Sequence, residues 1–500
     1  MIADLFQLVI NYSGLKNQLV CMQIDKYLYD SINIYTLKCP GNVDQNIIMQ
    51  QKFGCLKILD CSKNEKINNV NHLTNSLIEL NSSFKSEIDQ HGISQLKFLK
   101  ILNCSFNRKI NNVNYLANTL FELNCSESGI DQNGISQLKS LKKLDCSHNG
   151  RINNVNHLAD TLEELNCSGS ASWIDQDGIS QLKSLKKLTC SYNEKINNLN
   201  HLASTLEELY CSWHCGINQN GIDRLKSLKI LDCSYNEKIS NVNHLADVLF
   251  ELNCSASGID QYGVSQLKLL KKMDCSNNEK ISNVNHLADT LEELICCLDC
   301  GINQDGISRL KSLKKIVCSS NEKINDVNHL ADTLKELNCD GTSGVDQNGI
   351  SQLKSLNMLS CHDNTKIKNI GQLSDTIKIL SCGGCCGVDQ NEIFCFKKLK
   401  ILDCRNNPKI KDVYHLADIL EVLDCSDDCG IDQKRISQLK KIRIFRCYGN
   451  EKIDDVSHMT GTLEYMLCNN NIIRNNSQLV TNLRNKIPLS LLQSYYGSSL

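Results

Sequence analysis

Residues 141–161 read "LKKLDCSHNGRINNVNHLADT", and this stretch decides the fold. Leu141, Leu144 and Cys146 straddle a short strand, and the intervening Asp145 faces the other way. Asn149 ends the strand. Asparagine tolerates turn conformations, and its amide can bond backbone groups of the bend and of a neighbouring repeat. Ile152, Val155 and Leu158 then recur at threes, a tight helical or 3₁₀ spacing. Leu162 opens the next strand.

The unit recurs. Ten anchors from Cys61 to Cys447 each have Asn three residues on and Ile six residues on. A second set of eleven anchors lies between them, from Cys39 to Cys468, with Ser82 in place of cysteine once. The step from a first-set anchor to the next second-set anchor is always 21, and the return step is 21, 22 or 23. A fixed period near 20 residues marks a solenoid. One unit cannot bury its own apolar stripe, but stacked units can. The expected fold is an α/β solenoid of about 21 rungs, with a parallel sheet on the concave face at about 4.8 Å per rung. Short helical or 3₁₀ turns are expected on the convex face.

This pattern, L-x-x-L-x-(L/C)-x-x-N at 21 to 23 residues, resembles the leucine-rich repeat family over about residues 34–473. The resemblance implies a horseshoe that binds partners and says little about which. Two departures stand out: cysteine replaces the third leucine, and the second-flavour units lack the ladder asparagine. They have Ser128, Ser170, His214, Ser257, Asp299 and Thr342 there.

Residues 1–33 lack the frame but carry apolar residues at helical spacing, among them Leu5, Leu8, Leu19, Val20 and Tyr27. Two compatible readings stand. One is a helical N-terminal cap, which covers the first rung of a solenoid. The other rests on "LVCMQIDKYLYD" (residues 19–30), which resembles the later part of an F-box. The opening Leu-Pro of that family is absent, and the segment is about ten residues short. An F-box joined to leucine-rich repeats implies the substrate receptor of a cullin–RING ubiquitin ligase, with these five residues docking the adaptor. Residues 474–500 read as a C-terminal cap. The Asn- and Ile-rich repeat style also resembles repeat proteins of large DNA viruses that infect amoebae, which implies a host-cytoplasmic setting.

Net charge is −2, so neither a nucleic acid nor a membrane surface is expected as partner. No apolar run approaches the roughly 18 residues of a membrane span. The N-terminus lacks the early basic residue of a signal peptide. Without such a signal, 29 cysteines point to a reducing intracellular compartment.

Twenty of those cysteines are anchors that alternate with polar residues, and buried thiols behave as small hydrophobes. The "CGGCCG" of residues 382–387 leaves Cys385 and Cys386 to face outward, too few for the four ligands of zinc. Cys215, Cys300, Cys386 and Cys429 share one turn position, as duplication produces. Eight histidines from His72 to His458 recur just before the convex leucine, too far apart for a common metal. Lys142 and Lys143 face Glu163 and Glu164 one rung on, and the order repeats at Lys186–Lys187 with Glu207–Glu208 and at Lys271–Lys272 with Glu292–Glu293. No cofactor and no metal is expected, and no Walker loop, H-E-x-x-H or G-x-S-x-G points to catalysis.

Where repetition is scaffold, departures mark a binding site. Two residues after the anchor, consecutive rungs carry Tyr192, Trp213 and Tyr235, with Tyr210 on the middle strand. Phe106 and His148 hold the same position earlier. Ile295, Leu298 and Val317 replace polar residues further on. The Lys–Glu order fails where Met358, Ile379, Ile401, Val422 and Ile444 appear, a second candidate face. The expectation is a monomeric, non-enzymatic protein-binding module on the concave face. Its specific form is target capture for a ubiquitin ligase. The alternatives are a general scaffold or a virion-associated structural protein.

Overall fold

The computed structural model describes residues 34–469, excepting 40, 42 and 460. The chain divides into two compact units between Leu249 and Phe250, and each is a solenoid of repeated strand–turn units. Among the described residues, the first unit contributes ten three-residue strands, β1 (Thr36–Lys38) through β10 (Ile230–Asp232). The second contributes eleven, β11 (Glu251–Asn253) through β21 (Tyr465–Leu467). Neighbouring strands within each unit pair in parallel without slippage. Lys143, Leu144 and Asp145, for example, lie opposite Glu164, Leu165 and Asn166. Leu144 points into the core, and its neighbours Lys143 and Asp145 face out, half-exposed.

The two flavours of unit turn differently. In the first, a 3₁₀ turn such as Asn156–Leu158 follows the buried Ile152 and Val155. In the second, a single α turn such as Gln132–Ile135 is capped by Asp131, whose carboxylate accepts from Gly134 N at 2.8 Å. That bond satisfies one of the donors a helix start leaves open.

Side-chain amides staple rung to rung. Asn149 is buried, donates from Nδ2 to Cys125 O (3.1 Å) and Ile130 O (3.0 Å), and accepts from Arg151 N at 3.0 Å. Asn64, Asn107, Asn193, Asn278, Asn321, Asn364, Asn407 and Asn450 are buried alike. A second staple was not foreseen. Gln132 Oε1 accepts from Asn153 N (3.0 Å) and Asn154 N (2.9 Å), while its Nε2 donates to Asn154 O (2.9 Å). The same clamp recurs from Gln45 to Gln433. Asn156 works in the other direction, donating to Asp177 O (2.7 Å) and accepting from Gln181 N (2.9 Å). Glutamine thus joins a second-flavour turn to the following first-flavour one, and asparagine makes the return link, which accounts for the alternation.

The cysteine anchors are buried thiols. Burial pushes Cys104 up to about 12 and Cys146 well above its ordinary range, so neither is a thiolate nucleophile. The second-flavour units retain a buried polar residue in the turn, but it is located by counting back from the core isoleucine, not forward from the anchor. Two residues before Ile88, Ile130, Ile174, Ile217, Ile259, Ile302, Val345, Val388 and Ile431 stand Ser86, Ser128, Ser172, Cys215, Ser257, Cys300, Ser343, Cys386 and Cys429, all buried. Cys386 therefore faces inward, contrary to expectation, and Cys385 alone of the two is exposed. Each such cysteine lies against an anchor: Cys190–Cys215, Cys275–Cys300, Cys361–Cys386 and Cys404–Cys429 have Sγ–Sγ distances of 3.6, 3.6, 3.4 and 3.6 Å. A leucine at the anchor would fill the space this second small side chain occupies, which accounts for cysteine there.

Candidate functional site

The rim where strands leave the sheet has an unusual backbone. In all nine first-unit rungs from Lys63 to Tyr235, the residue two after the anchor has positive φ; in the second unit the ten from Ala256 to Gly449 do too. The turn is built locally. Asp145 Oδ1 accepts from Ser147 N (3.0 Å), and Asn149 N returns to Cys146 O (3.1 Å), leaving His148 as the third turn residue. A turn of that kind favours glycine or asparagine at this place. The second unit obeys: seven of its ten residues are Gly341, Gly384, Gly449, Asn277, Asn406, Asp363 and Asp427. The first unit puts Phe84, Phe106, His148, Tyr192, Trp213 and Tyr235 there. Holding a bulky L-residue in this region costs about 1 kcal/mol or more, and such strain gathers where a surface has work to do.

Tyr192, Trp213 and Tyr235 form one stack. The Tyr192–Trp213 centroids lie 5.5 Å apart with planes at 11°, and Trp213–Tyr235 lie 4.1 Å apart at 4°. The three side chains remain 41%, 39% and 41% exposed. Tyr210 lies on the strand Glu208–Tyr210, half-buried, with Lys187 Nζ 5.1 Å from its ring centre. Phe106 belongs to a separate stack with Phe84, at 5.1 Å and 5°. His148 covers Gly169, where an added Cβ would come within 2.5 Å of its ring. Ile295, Leu298 and Val317 lie in the second unit. Ile295 and Val317 are register partners on the outward face, and Leu298 is exposed at the rim. The expected residues thus fall into separate groups, with the Tyr–Trp–Tyr stack the largest. Leu5, Leu8, Leu19, Val20 and Tyr27 lie outside the described residues.

The charge ladder links rungs in both directions. Glu163 takes both Lys142 (2.7 Å) and Lys186 (2.8 Å), so Lys186 bonds back to Glu163, and Glu207 is taken by Lys229 at 2.7 Å. Lys142 and then Lys186 hold Glu163 down at about 2. A sheet face so neutralised gives little purchase to a polyanion. The C-terminal apolar stripe is not the open face expected, since Ile401, Val422 and Ile444 are buried.

The histidines are structural. His157 Nε2 donates to Ile135 O at 3.0 Å, and His72, His201, His286, His329, His415 and His458 make the same bond. Tyr115 substitutes its hydroxyl, 2.9 Å from Ile93 O. Burial lowers seven of these histidines below 6.5: His72, His157, His201, His244, His286, His329 and His415. The unfolded chain then binds more protons below that pH, so stability present above about pH 6.5 is lost as pH falls toward the lowered values. The thermal midpoint should drop between about pH 7 and pH 5. The drop should be shallower in the double variant His157→Tyr, His201→Tyr; equal slopes would refute the ladder's role. Among the described residues no group of three or more His, Cys, Asp and Glu converges on one point.

No family model and no curated protein matches the chain. Solved structures do. The chain is similar to one in the crystal structure of a TLR13–ssRNA13 complex, at 19% identity over 88% of this chain and 73% of that one, with a TM-score of 0.52. It is also similar to an internalin (InlF) of Listeria monocytogenes, at 20% identity over 67% of this chain and 94% of that one (TM-score 0.42). The functional domain of InlJ from the same species, which includes a cysteine ladder, aligns at 21% identity over 72% and 71% (TM-score 0.38). The likeness to the chain of the TLR13 complex shows the fold alone, a leucine-rich repeat solenoid.

Proposed function

We propose that this chain is a non-enzymatic binding module that holds a protein partner against the Tyr192–Trp213–Tyr235 stack, with Tyr210 beside it. The observation that carries this reading is the placement of three large aromatics, stacked and exposed, in turn positions whose backbone favours glycine or asparagine. Interface hot spots are enriched in Trp and Tyr, and truncating one costs about 2 kcal/mol or more.

The test uses asparagine, which the left-handed turn tolerates. Trp213→Asn relieves backbone strain and forfeits stacking worth about 0.5–1.5 kcal/mol per pair, so stability should shift by only about 1 kcal/mol. Affinity for a partner captured with the full chain should fall about 30-fold or more. A loss of stability matching the loss of binding would overturn the reading. Single-stranded RNA, the ligand in the TLR13 complex, serves as the control that the neutral Lys–Glu ladder disfavours.

A finer proposal makes the module a substrate receptor, with residues 1–33 docking a ubiquitin-ligase adaptor in the cytoplasm. It rests on the F-box resemblance of residues 19–30. Deleting residues 1–33 should abolish adaptor capture; unchanged capture, or none by the full chain, leaves a general scaffold.

A further inference from the structure

The Lys–Glu order lacks its acids in the first rungs of the first unit. From Lys142 to Lys229, the residue just before each strand alternates lysine with glutamate. In the rungs before these the lysines persist as Lys57 and Lys100, but Tyr35, Ile78 and Phe121 stand where glutamate would. The column itself is intact: Ile78 N donates to Lys57 O and Lys100 N to Ile78 O, both at 2.8 Å. Lys142, Lys186 and Lys229 each hold a glutamate at 2.7 or 2.8 Å. Among the described residues Lys57 and Lys100 make no ion pair, and Lys57 instead lies 5.5 Å from the ring centre of Tyr35. A second column loses its acid in the same rungs. Asp160 pairs with Lys183 at 3.6 Å, whereas Asn75 and Asn118 hold that place one rung before Lys97 and Lys139. The acid of the next column, Glu79, lies in register between Ile58 and Ile101 and pairs with neither free lysine. Lys57, Lys97 and Lys100 against Glu79 leave the patch net positive.

This patch is concave. An open groove of about 550 Å³ lies over it, with Lys57 and Lys100 as its cations and Tyr35, Ile78 and Phe98 as its apolar wall. Phe98 is 53% exposed, and it replaces the serine that later rungs of this unit carry as Ser140, Ser184 and Ser227. We propose that the groove binds a protein segment in which an apolar side chain lies between two acidic ones. The two lysines are two rungs apart, about 10 Å. That spacing suits two separate carboxylates, and the apolar wall between them suits an aliphatic side chain. On a helix, acids seven residues apart lie about 10.5 Å apart on one face, with the residues three and four on from the first between them. A nucleic acid fits less well, because its regular phosphates would run on into the neutralised ladder that begins at Lys142. The site is separate from the Tyr–Trp–Tyr stack and does not rest on that reading.

Two measurements on the full chain test this. The first is fluorescence anisotropy with a fluorescein-labelled helical alanine peptide, carrying two glutamates seven residues apart and two leucines between them. The chain should bind it, and glutamine in place of both glutamates should weaken binding about tenfold. Ile78→Glu writes the regular order back into the column and gives Lys57 and Lys100 the partner that Lys142 and Lys186 have. It should weaken binding about 30-fold with the thermal midpoint unchanged or raised. Should that variant fail to fold, the double variant Lys57→Gln, Lys100→Gln supplies the same test with a loss of about tenfold. Trp213→Asn should leave binding unchanged. No binding by the full chain, equal binding of the glutamine peptide, or an equal loss in Trp213→Asn would overturn the proposal. Displacement of the peptide by an equal concentration of single-stranded RNA would make the groove a polyanion site and overturn it too. The second measurement places the peptide. Cys55 is exposed and lines the groove, so saturating peptide should slow its alkylation by iodoacetamide severalfold and spare the exposed Cys385 and Cys395. Unchanged alkylation of Cys55 would put the peptide elsewhere. Alkylation already slow in the free chain would mean that the chain's own terminus or a second copy fills the groove, and either result refutes the assignment.

Discussion

Asn149→Ala is expected to cost about 3–5 kcal/mol of local stability, far more than the loss of one exposed amide. The Nδ2 group is shared by Cys125 O and Ile130 O, and Oδ1 accepts from Arg151 N. Alanine leaves the Ile130 carbonyl and the Arg151 N–H without this partner, while Cys125 O keeps Ser128 N and Ser128 Oγ, and each unsatisfied buried group costs about 1–3 kcal/mol. Aspartate keeps the shape and fails for a different reason, because its second oxygen meets two carbonyl oxygens and a buried charge has no cation. A solenoid is quasi-one-dimensional, so the damage stays near the altered rung. Hydrogen exchange should therefore accelerate about 10²- to 10⁴-fold around Cys125, Cys146 and Ile152. Asn197→Ala, at an exposed site, should leave exchange unchanged. Equal effects of the two substitutions would refute the ladder's role.

The rungs were legible because each apolar position repeats, and burial of Leu144, Cys146, Ile152, Val155 and Leu158 follows from their spacing. So was the opposition of Lys143 to Glu164. The left-handed rim was not, for a physical reason. Its usual markers, glycine and asparagine, are replaced by aromatics in the rungs that draw the eye. Asn277, Asp363 and Asn406, with Gly341 and Gly384, would have disclosed it from the other half of the chain. The buried Ser/Cys slot was hidden because the second turn varies in length ahead of it, so a count from the anchor drifts while a count back from the isoleucine does not. The glutamine clamp sat in plain sight in "DQNGI" (residues 131–135) but outside the apolar frame, and a polar side chain's partners are not read from periodicity. The C-terminal break in the charge order was visible as a change of pattern. Whether it faced solvent depends on tertiary packing, which no local spacing encodes.

Gly134→Ala is expected to have a comparable effect, about 3–5 kcal/mol, through a single added methyl. Its Cβ would lie 2.2 Å from Asn111 O and 3.2 Å from Asn111 C, so a backbone must move. The approach is this close because Val113 N donates to Gly134 O at 2.9 Å and Asn114 Nδ2 to Asn133 O at 2.7 Å, drawing the α turn onto the preceding rung. Separating the two rungs weakens both bonds as well as the packing beneath them. Two other rungs show what relief requires. Glu392 stands where this glycine does, and there the cap shifts: Asp389 accepts from Asn391 N, one residue earlier than usual, and Glu392 itself accepts from Ile370 N (2.6 Å) and Gly371 N (2.8 Å). Gly371 has also replaced the asparagine that would otherwise staple that turn. Arg435 holds the same place and pairs with Asp412 at 2.7 Å. Both departures come with a changed partner on the facing rung, and Gly134→Ala alone has none. Gly461→Ala, with nothing within 4 Å of its Cβ, should change stability by less than about 0.5 kcal/mol. Denaturant melts of the two variants, read with hydrogen exchange at Val113, separate the cases. A Gly134→Ala chain as stable as Gly461→Ala would mean that the rungs slide freely, and that the amide staples do not set their spacing.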